Sequence, residues 1–286
     1  MLTLKNALKR ISSDALYGFG RIVGPNSFKP MLGKGIILCY HSISSSQVID
    51  STLNKSWLSI NLENFRAHIA YLANKFECVS IDQMLGNHRP VSGRKLCCIT
   101  FDDGYKDNLY NALPILEEYQ VPATVFISTF KSHVAKPAYE SWPEFYGLNS
   151  GDIEKFFLSK FELQQFSDSK LITIGAHGDS HVKLSGLSLA EANQELDFSK
   201  KYLEDCTGKL ITNFAYPHGT KDSFTDAHID TLRSLGFITA CSTSPARIDK
   251  KTSPYRLPRT LVLPQVGAER ISVLSSGLSN IVGKTF

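Results

Sequence analysis

From Ile36 onward the chain alternates short apolar runs with amphipathic segments, and this rhythm constrains the fold more than any other feature. The runs Ile36–Tyr40, Phe76–Ile81, Leu96–Phe101, Pro122–Ile127, Leu171–Ala176, Asn213–Tyr216 and Phe237–Cys241 read as strands, with Tyr255–Leu263 after them. Between them the spacing predicts helices over Leu62–Asn74, about Asn108–Gln120, and Thr225–Leu235 ended by Gly236. A longer helix opens at the capping box Ser188-Leu-Ala-Glu191 and closes near Gly208, and a final one spans Ala268–Ile281. Asp82 reads as the cap of a short helical turn. Strands that alternate with helices imply a parallel sheet. Polar residues stand at the C-terminal ends of the runs: His41, Asp102 with Asp103, His177 with His181, His218 and Arg259. A closed or partly closed barrel gathers such ends on one rim.

The 286 residues suit one large α/β domain with an appendage. Residues 1–33 form that appendage, because Leu4, Leu8, Ile11, Leu16, Phe19 and Ile22 recur at roughly helical spacing among Lys5, Lys9, Arg10 and Arg21. The segment reads either as a helix packed across the bottom of the domain or as a helix on a membrane surface. A composition 42% hydrophobic and 20% charged supports a substantial core, and a net charge of +4 is too mild to argue for nucleic acid. No stretch reaches the length of a transmembrane helix, and charges interrupt the N-terminus where a signal peptide needs an apolar core. A cytoplasmic location is expected. Cys39, Cys78, Cys97, Cys98, Cys206 and Cys241 show no CxxC spacing, and adjacent Cys97 and Cys98 point to opposite faces of a strand. They are expected to be reduced core residues. Residues 130–168 lose the rhythm; Trp142, Phe145, Tyr146, Phe156 and Phe157 make an aromatic-rich insertion that either walls a cleft or simply packs.

The chemistry concentrates at the strand ends. Leu96–Phe101 delivers Asp102 and Asp103 into a turn at Gly104. Neighbouring carboxylates repel, so holding both ionised needs a counter-charge, most simply a metal cation. The alternative is a polar loop in which Asp103 caps the following helix. His177 and His181 lie four apart in a segment of small and polar residues that can turn like a helix, and such a pair can hold one metal ion. With one Asp they make a candidate His₂Asp site that keeps open positions, as catalytic metal sites do. Such a metal lowers the pKa of water and polarises a carbonyl. One Asp suffices for it, and the other is left to accept a proton from the water. His68, in a helix, and His88, His133 and His228, among polar residues, read as solvated. Asp179 reads either as an imidazole's partner or as a surface-loop residue.

Three motifs, Ile99-Thr-Phe-Asp-Asp-Gly-Tyr105, Gly175-Ala-His-Gly-Asp-Ser-His181 and Phe214-Ala-Tyr-Pro-His-Gly219, resemble in kind and order those of the NodB-homology polysaccharide deacetylases, carbohydrate esterase family 4. The resemblance runs from about Ile36 to Leu263. It implies a distorted (β/α) barrel over residues 34–286 that removes N-acetyl groups from an N-acetylated sugar or polysaccharide precursor. It implies Asp102 as catalytic base, and Asp103, His177 and His181 as ligands of a divalent metal. Zinc suits that set best, though iron, cobalt and nickel also fit it. Tyr216, Pro217 and His218 would line the groove, the His218 backbone N–H meeting the oxyanion.

Two departures matter. The Arg of the family's third motif is Ala215 here, so Arg259, in Leu257-Pro258-Arg259, becomes the candidate that orients the base; the alternative is a surface Arg beside a proline turn. The C-terminal Leu-x-x-His that supplies the general acid is absent, since no His follows His228. Cys39-Tyr40-His41-Ser42-Ile43 resembles instead the Tyr-His strand end of the permuted poly-N-acetylglucosamine deacetylases, as Leu62–Leu72 resembles their following segment, and this implies His41 as the acid. The expected substrate is a cytoplasmic sugar precursor, or a lipid-linked intermediate if residues 1–33 touch a membrane. Ala215 leaves open a catalytically silent carbohydrate-binding relative, and the fold leaves open a hydrolase of another amide or ester.

Overall fold

The structure, a computed structural model, describes residues 33–45, 58–130 apart from Asn87, Arg89 and Ser92, and 155–276 apart from Pro245 and Arg247. The appendage up to residue 32, the aromatics Trp142, Phe145 and Tyr146, His133, and the end of the last helix lie outside the described residues.

The strands, in chain order, are β1 (Gly35–Tyr40), β2 (Ser42–Ser44), β3 (Ser59–Asn61), β4 (Phe76–Cys78), β5 (Lys95–Phe101), β6 (Ala123–Ile127), β7 (Ile172–Ala176), β8 (Asn213–Ala215), β9 (Thr239–Ser242), β10 (Leu257–Pro258) and β11 (Thr260–Leu261). Apart from the β2–β3 pair they form one sheet in the order β10-β9-β8-β7-β6-β5-β1-β11, with β4 also on β5. Every ladder is parallel. The ends of this sheet, β10 and β11, are separated by Arg259 alone. Leu257 and Pro258 pair with β9 while Thr260 and Leu261 pair with β1, so this single stretch closes the sheet into a distorted (β/α) barrel.

Side chains alternate across a strand, and the two faces collect different neighbours. Ile37, Cys98, Phe126, Ala215, Cys241 and Leu257 form one buried cluster inside the barrel. Cys97, one residue from Cys98, belongs to the outer core under the helices, and all six cysteines are free thiols. Two residues beyond Ile37, Cys98 and Leu257 come the next inward positions: Cys39, Thr100 and Arg259. The inward position after Thr100 is Asp102. The apolar interior thus gives way to a polar layer at the C-terminal rim.

The helices are α1 (Leu62–Lys75), α2 (Ile81–Leu85), α3 (Leu113–Glu118), α4 (Lys160–Asp168), α5 (Leu189–Thr207), α6 (Asp226–Ser234) and α7 (Ile271–Ser275). The capping box at Ser188 and Glu191 opens α5, and Gly208, with φ of 66°, closes it. The cap of α2 is Ser80, paired with Gln83, and Asp82 is a first-turn acid. Asn108–Ala112 is a π-helical turn ahead of α3. Pro114 has no N–H to direct at Tyr110, so a regular α-helix cannot run through this point.

Two histidines expected at the surface are buried. His68 is 0% exposed on the inner stripe of α1 with Phe65, Ile69 and Leu72, which is the helical spacing itself. His228 is also buried and caps α6, its Nδ1 accepting from the Thr225 N–H at 3.0 Å. Among the described residues no helix is long and apolar enough to cross a membrane.

Candidate active site

The backbone separates the paired acids. The Asp102 N–H donates to the Tyr40 carbonyl at 3.0 Å, so Asp102 continues the β5 ladder and faces inward. Asp103 and Gly104 then take φ values of 77° and 81°, and the chain swings away from the strand. A left-handed conformation is costly for a residue with a Cβ and needs support from its surroundings. His181 at 57° and His218 at 61° share it, so strained backbone clusters at this rim. Gly104 is needed for space as well, since a Cβ there would meet Ile127 Cδ1 at 3.1 Å.

Asp102 is neutralised from inside the barrel. Arg259 donates through Nη1 to Oδ1 and through Nη2 to Oδ2, both at 2.6 Å, a bidentate pair fully out of water. Two further guanidinium hydrogens go to the Ser242 carbonyl (3.3 Å) and Thr100 Oγ1 (3.3 Å), and the Phe126 ring lies 5.3 Å from Cζ. Cys39 Sγ donates to Oδ2 at 3.4 Å. Burial pushes the Asp102 carboxyl up, but Arg259 and then His177 outweigh it and hold it below its ordinary value. The surface location considered for Arg259 is therefore excluded: it is 0% exposed.

Asp103 faces the imidazoles. His177 Nε2 lies 3.7 Å and His181 Nε2 3.3 Å from Asp103 Oδ1, and one donor atom from each of the three lies within 4.8 Å of the others. His177, at the end of β7, donates Nδ1–H to the Ala215 carbonyl at 2.8 Å, which leaves the Nε2 lone pair toward Asp103. Burial lowers the pKa of His177, favouring the neutral form that binds a metal. Ligands about 2.0–2.1 Å from a tetrahedral ion sit roughly 3.3 Å apart, so a carboxylate and two imidazoles at these separations fit a divalent cation such as zinc.

The His177–His181 segment is a loop, not a helical turn, with Gly178 at φ of 74°. Glu195 of α5 accepts from the Ser180 N–H (2.5 Å) and Oγ (2.9 Å), and Thr129 Oγ1 donates to Asp179 (2.6 Å). Asp179 thus anchors the loop to the end of β6.

His41 follows β1 directly. Its ring is half-buried, and among the described residues its Nδ1 finds no hydrogen-bond partner. Burial lowers its pKa against the pull of Asp103 and Asp102. A donor atom of His41 lies within 4.8 Å of Cys39 Sγ and of an Asp102 oxygen. Arg259 already neutralises that carboxylate, which makes this trio unsuited to a cation.

Of the three residues expected to line the groove, Tyr216 and Pro217 are buried. Tyr216 is 0% exposed, packed with Phe214 and Phe224, and its hydroxyl donates to the Tyr255 carbonyl at 3.0 Å. Its side chain is core and cannot line a groove. His218 is exposed, with its ring centroid 5.0 Å from that of His181. Sequence reasoning missed Cys39 and the Ala215 carbonyl: a thiol in an apolar run reads as packing, and a main-chain acceptor has no side-chain signature.

A family model described as polysaccharide deacetylase matches residues 90–240. YxkH of Bacillus subtilis (strain 168), whose name places it in the same family, is 26% identical over 232 residues, covering 80% of this chain and 71% of that protein. The poly-beta-1,6-N-acetyl-D-glucosamine N-deacetylase of Staphylococcus aureus (strain MRSA252) is 28% identical over 172 residues, 57% of this chain. The matched region spans about half the length of that enzyme (53%). Among solved structures, the Streptococcus pyogenes deacetylase PplD superposes with a TM-score of 0.68 at 20% identity, covering 85% of this chain and 98% of that one. IcaB from Ammonifex degensii superposes at 0.64 with 21% identity, covering 85% and 98%. These two likenesses concern the fold.

Proposed function

This chain belongs to the polysaccharide deacetylase family, and from that premise we propose that it is a metal-dependent N-deacetylase releasing acetate from an N-acetylated sugar polymer or its precursor. The observation that carries the reading is the unequal setting of the adjacent carboxylates: both oxygens of Asp102 are held by Arg259, with His177 3.9 Å away, while Asp103 lies beside the imidazoles of His177 and His181. Asp103, His177 and His181 would hold the metal, which supplies polarisation of the acetamide carbonyl and a more acidic water.

Arg259 keeps Asp102 ionised and fixes its orientation. Asp102 takes a proton from the water as its oxygen adds to the acetamide carbon. The backbone N–H of His218 stabilises the charge that develops on the former carbonyl oxygen. His41, protonated, gives its proton to the leaving nitrogen as the C–N bond breaks, yielding acetate and a free amine. The lowered pKa of His41 makes its imidazolium a stronger proton donor.

The staphylococcal relative makes β-1,6-linked N-acetylglucosamine oligomers the first substrate to try. Acetate release by zinc-loaded protein tests the reading. Release by the wild type and none by Asp102→Asn is expected. Equal release by both would overturn the role of Asp102, and no release from oligomer, monomer or lipid-linked sugar would overturn the activity.

A further inference from the structure

The turn that follows the paired acids reaches back to the residues that follow β1. Asn108 Nδ2 donates to the His41 carbonyl at 2.8 Å and to Asp107 Oδ1 at 3.0 Å. Ser42 Oγ donates to Asp107 Oδ2 at 2.6 Å. Asn111 Nδ2 donates to the Ile43 carbonyl at 2.7 Å. Three side chains from one turn therefore grip three consecutive residues, His41, Ser42 and Ile43. Asn108 is fully buried while it does so.

This grip answers a specific need. The main sheet's hold on β1 ends at the Tyr40 carbonyl, which accepts from Asp102. Beyond it the chain enters β2, which pairs only with the short β3 among the described strands. Backbone carbonyls left by a departing strand must find other donors, and the two asparagine amides supply them at His41 and Ile43. Asn108 and Asn111 reach the same side because they are three residues apart on a helical turn, and the turn that carries them is π-helical, a form that recurs at functional sites.

We propose that Asp107, Asn108 and Asn111 are positioning residues that hold His41 in register with Asp102. The turn carrying them begins a few residues after Asp102 on the same chain segment, so the clasp fastens the His41 strand end to the acid-bearing one. Proton donation demands placement to within a fraction of an ångström, and a hydrogen bond on the His41 main chain sets where its ring begins. The inference rests on the reading of His41 as proton donor.

The test uses the full chain with Asn108→Ala and, as a milder variant, Asn111→Ala. Hydrogen–deuterium exchange over residues 41–44 reads the clasp without any substrate, and acetate release reads its consequence. In Asn108→Ala, exchange of that segment is expected to speed at least 10-fold, with β5, β6 and bound zinc unaltered. The kcat is expected to fall about 10- to 100-fold at constant KM, and the same substitution in a His41→Ala background to cost less than twofold. Such non-additivity is expected only of residues acting through one another. Unaltered exchange in both variants, or losses that multiply in the double variant, would overturn the clasp. If the wild type releases no acetate, the functional reading falls and exchange alone decides the clasp: faster exchange supports it, and unaltered exchange overturns it.

Discussion

Asp102 and Asp103 are one peptide bond apart, yet the barrel treats them as different groups. Asp102 stays in the pleat, points inward and meets a guanidinium that satisfies both oxygens. Asp103, turned by a left-handed backbone, points to the rim and meets two imidazoles whose Nε2 atoms lie 3.3 Å and 3.7 Å from its Oδ1. The first has its counter-charge built into the protein, and the second sits where a cation can supply one. Backbone geometry thus gives the neighbouring acids different settings, one on a guanidinium and the other against imidazoles that can share a cation with it.

The contrast can be broken at either acid. Asp102→Asn is expected to lower turnover by about 10²–10⁴-fold, the usual contribution of a general base. Steady-state acetate release checks this, and wild-type turnover would remove Asp102 from the chemistry. Arg259→Leu leaves a buried carboxylate without its cation and is expected to cost ~3–5 kcal/mol of stability. Denaturant unfolding of the metal-free protein measures it, and a cost below about 1 kcal/mol would mean that Asp102 does not depend on that pair.

Buried imidazoles sharpen the same contrast. His177 has carboxylates beside it, whereas His68 faces the Tyr40 hydroxyl, 3.4 Å from its Nδ1, and the backbone of Gly267 and Val266; burial outweighs those backbone contacts and lowers its pKa from 6.5 to about 4. Between those values the unfolded chain takes up a proton that the folded one refuses, so stability falls as the pH drops through this window. His68 therefore costs roughly 2 kcal/mol more at pH 5 than at pH 7.5. Unfolding of His68→Gln at the two values should show that increment gone; an unchanged acid loss would place it on other groups. The smallest effect belongs to Cys39. Deleting its bond to Asp102 in Cys39→Ala should cost ~1 kcal/mol, with Cys39→Ser retaining part of it.

Much of the frame was legible because it rests on periodicity and caps. Apolar runs, the Ser188 box and Gly208 are local signals, and the residues at strand ends converge on one rim because a parallel barrel leaves them nowhere else to go. What escaped was set by tertiary contact. The closing strand is split at Arg259 between two partners, which no local pattern announces. The π-turn follows from Pro114 in a segment that otherwise reads as plain helix. His68 was misjudged by residue type although its spacing matched the core stripe. Tyr216 was misjudged because a motif residue beside a groove can still turn its side chain into the core.

The division between the two acids is tested most directly by zinc titration of Asp102→Asn and Asp103→Asn in parallel by calorimetry. Asp102→Asn is expected to bind one zinc with near wild-type affinity. Asp103→Asn is expected to lose more than about 100-fold, since even residues that only support a ligand are worth about 10–100-fold. Equal loss in both variants, or full affinity in Asp103→Asn, would contradict that division.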